Sequence, residues 1–190
     1  MSRAPVLIAA WLACACGHRA TATATPAPPW PTPPGWTSET IPFPLGFAPD
    51  VHHTGEEELR FPPGFYDHAS PGYWSYAFVW RTTDPALLDA RALGDELTRY
   101  FRGLITAVDA EAQQVKDVGA VVVHAEPAGA GFALTAHVFN AFAAGEPVDL
   151  TGWAQRTSCG DGALWVFAVA PPTSTVRADV DALARAATCR

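Results

Sequence analysis

The chain has 190 residues, 49% of them hydrophobic and 16% charged, with a formal net charge of −7. That is material for one ordinary domain with a real core. No basic patch or Lys/Arg stripe exists, which argues against nucleic-acid binding and against electrostatic docking on anionic lipid.

Met1, Ser2 and Arg3 give a short positive start, and residues 4–15 (APVLIAAWLACA) are apolar throughout. A helix that crosses a bilayer needs roughly 20 apolar residues, so this stretch fits the hydrophobic region of an export leader instead. Ala13-Cys14-Ala15 reads as a small-x-small cleavage site and leaves Cys16 as the first mature residue. The stretch Leu12-Ala13-Cys14-Ala15-Cys16-Gly17 resembles the lipobox of bacterial lipoproteins, with Ala13 where that family carries leucine. The resemblance is confined to the leader. It implies a lipid on Cys16 and a membrane anchor; without it, the leader is a plain secretory one.

Residues 16–35 are dominated by Thr, Ala and Pro and are expected to form an extended, semi-rigid spacer. A single domain is expected over 36–190, and its first part, 36–74, is an aromatic, Pro-rich wrap. Within the wrap, 57–61 (EELRF) reads as a short strand ended by Pro62.

From Ser75 the pattern is regular. Residues 75–81 alternate as a strand rich in aromatic and β-branched side chains. Asp84 and Pro85 are expected to open a helix as N-cap and first helical residue. Leu93, Leu97, Tyr100, Phe101, Leu104, Ile105 and Val108 then share its inner face. Gly103 weakens that helix by about 1 kcal/mol relative to Ala. Strands follow at 121–126, 132–142, 148–158 and 163–170; the last is apolar on both faces and should be central. A final helix runs from Ser174 or Thr175 to about Cys189. The order predicts an α+β fold: a mainly antiparallel sheet of about five strands, with two helices packed on one face.

Cys159 and Cys189 form an even pair once the leader cysteines are set aside. In an oxidising compartment they should be joined, pinning the C-terminus to the sheet and adding roughly 3–4 kcal/mol of stability.

Three groups of residues carry candidate chemistry. His52, His53, Asp67 and His68 offer imidazole and carboxylate donors suited to a divalent metal, though at no recognised ligand spacing. His124 and His137 become diagonal neighbours if Val123 pairs with Ala136, and could then share a metal or act as acid and base. Tyr73 and Trp74, within a run of aromatic residues, could stack on a sugar. No nucleophile elbow, dinucleotide fingerprint, phosphate loop or haem motif occurs, and no cofactor is indicated. The expectation is a non-catalytic exported protein, lipid-anchored at Cys16, that binds an envelope protein or envelope polymer. A metal-binding protein or metal-dependent enzyme, and a carbohydrate-binding module, are the alternatives.

Overall fold

A computed structural model describes residues 29–84 and 88–190. The leader, Cys16 and most of the spacer lie outside this set. The elements are β1 (Thr37–Pro42), β2 (Gly55–Phe61), β3 (Tyr76–Thr82), α1 (Ala90–Val108), β4 (Val122–Ala128), β5 (Gly131–Phe139), β6 (Pro147–Cys159), β7 (Gly162–Ala170) and α2 (Arg177–Arg185). All seven strands join one antiparallel sheet in the order β1-β2-β3-β7-β6-β5-β4. The fold is α+β, and β7 is the central strand, as its two apolar faces require.

The sheet has seven strands, not about five. The wrap supplies the extra edge: β1 (TSETIP) is exposed along most of its length, so it carries no hydrophobic alternation by which to recognise it. Nor do both helices share a face. Side chains of β3 and β7 alternate between two covers. Phe78, Trp80, Trp165 and Phe167 pack under α1 and the wrap, while Ala77, Val79, Leu164, Val166 and Ala168 pack under α2. The first set is bulky and needs a deep cover. The second is shallow and is filled by Val180, Leu183 and Ala184 of a short helix.

The long helix also starts later than expected. Its N-cap is Asp89, whose Oδ1 accepts a hydrogen bond from the Ala92 N–H at 2.8 Å. Asp84 instead turns toward His53.

Packing already begins at Trp30, inside the stretch read as spacer. Its ring is buried against α2, its Nε1 donates to the Leu183 carbonyl at 2.8 Å, and the Arg60 guanidinium lies 4.4 Å from the ring centroid. At the other end of the chain, Cys159 and Cys189 form a disulfide, closing a loop with a sequence separation of 30. Arg190 then reaches Glu56 and Glu58 on β2, so both ends of the folded unit meet the α2 face.

Helix α1 is held close because two glycines leave room. A methyl at Gly94 would sit 2.9 Å from the Val123 carbonyl of β4. A methyl at Gly103 would run into the Phe47 carbonyl and lie 2.9 Å from Ala48 in the wrap. Thr98 adds a bridge: its hydroxyl donates to the Gly94 carbonyl at 2.8 Å and accepts from the Val123 N–H at 2.9 Å.

Two outcomes follow. Replacing Cys159 and Cys189 together by Ser should lower the unfolding free energy by about 3–4 kcal/mol in a denaturant titration; a loss under about 1 kcal/mol would contradict the staple's role. Gly103→Ala should destabilise by about 1–3 kcal/mol despite the better helix propensity of Ala, because the wrap backbone blocks the methyl. A stabilised variant would mean that the wrap is free to lift off the helix.

Candidate functional site

The wrap does not close completely over the sheet. Between β1, β2, the second half of α1 and the loops holding Tyr66 and Phe142 lies a cleft of about 210 Å³. Strand alternation builds one wall: Glu39 and Ile41 of β1 stand across from Leu59 and Glu57 of β2, all on the α1 face. Tyr76 of β3 and Tyr100 of α1 form the floor, and Leu104 and Val108 continue the helical wall. Phe47, Phe61, Phe65 and Trp74 line the sides.

The rings form one connected set. Phe65 lies 4.7 Å from Phe61, 5.6 Å from Tyr76 and 5.9 Å from Trp74, centroid to centroid. Tyr66 and Phe142 meet edge to face at 4.9 Å across the mouth. Trp74 enters the wall from a left-handed backbone conformation (φ 46°), which costs a non-glycine residue about 1–2 kcal/mol. Its Nε1 donates to Asn140 Oδ1 at 3.3 Å, which ties the wall to the loop carrying Phe142.

Behind the floor is a buried carboxyl group. Glu57 is fully buried; its Oε1 accepts from Trp80 Nε1 at 2.9 Å, and the Tyr100 hydroxyl faces its carboxyl group. Burial pushes its pKa up to about 7, against the opposing hydrogen bonds of Trp80 and Tyr100 and with added repulsion from Glu39. The Tyr76 hydroxyl is also fully buried, beside that of Tyr100. Both tyrosine hydroxyls are held well above their usual range, chiefly by burial and then by the Glu57 charge.

The residues singled out in the sequence are dispersed. His53 is buried, with Nδ1 3.1 Å from Asp84 Oδ2 and Nε2 2.7 Å from Glu96 Oε1. The Glu96 contact acts on the ring through both hydrogen bonding and charge. Burial lowers the His53 pKa, but Glu96 and Asp84 outweigh it and leave the value raised. With a carboxylate at each ring nitrogen, His53 serves as an ionic stitch between the wrap, the end of β3 and α1. His52 beside it is exposed. Asp67 closes a local turn by accepting from the Ala69 N–H at 2.9 Å, and the His68 ring lies 4.9 Å from that of Tyr73. Among the described residues, no group of three His, Cys, Asp or Glu is placed to hold a metal ion.

His124 and His137 take the expected register, opposite Thr135 and Val122 respectively. They lie on the open face of β4 and β5, where His137 Nδ1 is 2.8 Å from Asp149 Oδ1 and His124 is exposed. Tyr73 is partly buried and its hydroxyl donates to Glu146 Oε1 at 3.1 Å. Trp74 is buried and reaches the cleft only as part of its wall. Sequence reasoning did not assign Glu39, Tyr100 or Phe142 to a site, and it grouped Glu57 with the His52 and His53 metal candidates rather than with the aromatic residues. A signal for Glu57 was present: Glu57, Leu59 and Phe61 alternate, which puts the carboxyl on the buried face.

No family model, curated protein or solved structure matches this chain.

The folded state binds the Glu57 proton more tightly than an exposed glutamate at 4.5 would. Its stabilising effect is therefore complete below about pH 4.5 and is lost as pH rises through about 7. Glu57→Gln keeps the shape and removes the charge. Relative to the unmodified protein, the variant should gain about 2–3 kcal/mol more stability at pH 8 than at pH 5. A stability difference independent of pH would show that Glu57 is hydrated and ionised.

Proposed function

We propose that this chain is an exported envelope protein, lipid-anchored at Cys16 and raised on its Pro-rich spacer, whose domain binds rather than catalyses. Its partner is another envelope protein or an envelope polymer, which seats a small group in the aromatic cleft. One observation carries the binding site. Among the described residues the exposed large hydrophobic side chains are Tyr66 and Phe142, and both stand at the mouth of the same cleft. Exposed apolar rings gathered at a concave site are a signature of recognition, since scattered ones need no partner. The Cys159–Cys189 disulfide is compatible with an oxidising compartment outside the cytoplasm. No helix among the described residues is long and apolar enough to cross a membrane.

Two measurements test this. The intact mass of the protein recovered from cells should place the mature N-terminus at Cys16 with a lipid adduct; recovery with Met1 or Ser2 in place would overturn export and anchoring together. Titration of purified envelope components should give saturable binding that Tyr66→Ala with Phe142→Ala weakens at least tenfold. Binding indifferent to those two changes, or robust turnover of any component, would overturn the binding assignment.

A further inference from the structure

The lining of the cleft is lopsided in charge. Eight of its thirteen lining residues are aromatic, one is the carboxylate Glu39, and none is Lys, Arg or His. A second acid, Glu57, lies directly behind the floor, fully buried beside the Tyr76 and Tyr100 hydroxyls. Aromatic faces carry negative potential and attract cations, most strongly where water is excluded. An anionic ligand would meet Glu39 at the wall and Glu57 below, with no cation to receive it. At about 210 Å³ the space is also smaller than the roughly 300–1,000 Å³ of pockets for drug-sized molecules.

Resting on the cleft as the binding site, we infer that the group it receives is a small organic cation, an alkylated ammonium with apolar substituents. The substituents lie against the rings, and the charge is balanced by Glu39 and, through Tyr76 and Tyr100, by Glu57. The groups facing Glu57 are Glu39 from β1, Trp80 and Tyr76 from β3, and Tyr100 from α1; none brings positive charge. A bound cation therefore favours the ionised form of Glu57, so occupancy and loss of that proton reinforce one another.

The test compares choline with 3,3-dimethylbutan-1-ol, which has the same shape without the charge, by ligand-observed NMR and Trp fluorescence on the whole exported protein. Choline should bind about tenfold or more tighter than the alcohol. Its affinity should rise from pH 6 to pH 8. Glu39→Gln, a change at an exposed residue, should weaken choline several-fold and leave the alcohol unchanged. Phosphocholine, whose anionic phosphate is brought near Glu39, should bind more weakly than choline. Equal affinity for choline and the alcohol would overturn the cation assignment while leaving the cleft as an apolar binding site. Phosphocholine binding as tightly as choline would overturn the charge argument. Failure of both choline and the alcohol to bind would also overturn the inference, and the envelope titration then judges the cleft on its own.

Discussion

Strands β3 and β7 are apolar on both faces, and that obliges the molecule to cover its sheet twice. Phe78 and Phe167 stack at 4.4 Å on one side of this pair, while Ala77, Val79 and Val166 face the other. Large rings demand a deep layer and small side chains a shallow one. The deep layer is shared between α1 and an irregular chain segment, and irregular segments do not tile a surface as helices do. The cleft lies in the gap between them. Its existence therefore follows from dividing one cover between a regular and an irregular element.

The same cover explains the buried polar groups. The irregular parts of the wrap bond mainly to themselves through turns, and side chains supply the point fastenings to the rest of the fold. His53 supplies one, linking the wrap to Asp84 and Glu96. Asn140 supplies another, accepting from Trp74 and donating to Glu146 at 2.7 Å. Glu57 does the reverse: a buried acid left without a cation weakens the fold as it ionises. His53, with its raised pKa, stabilises most fully below about pH 6.5 and less above its folded value. Both groups thus make the covered face looser as the surroundings become more alkaline.

Much of the scaffold could be read from residue order. The alternating strands from Ser75 onward, the central place of β7, the β4–β5 register and the cystine all follow from period, turn residues and cysteine parity. What escaped has physical causes. β1 pairs by its backbone and shows few buried side chains, so pattern reading passes over it. The two helices each have an apolar stripe, but a stripe says nothing about which sheet face it will meet; the size of the facing residues decides that. Asp84-Pro85 had the local chemistry of a helix start, yet Asp89 took the cap and Asp84 was drawn to His53. The cleft was hardest of all. It joins residues from β1, the wrap, α1 and the loop after β5, and no linear signal connects Glu39 to Phe142.

Trp30 gives the domain a direction. Its ring is locked beneath Arg60 and α2, on the side of the sheet opposite the cleft. The described chain thus enters the fold on the rear side, through a clamp made of one indole, one guanidinium and a helix carbonyl. Entry and recognition are thereby assigned to opposite faces of one sheet, and nothing that fastens Trp30 intrudes on the aromatic mouth.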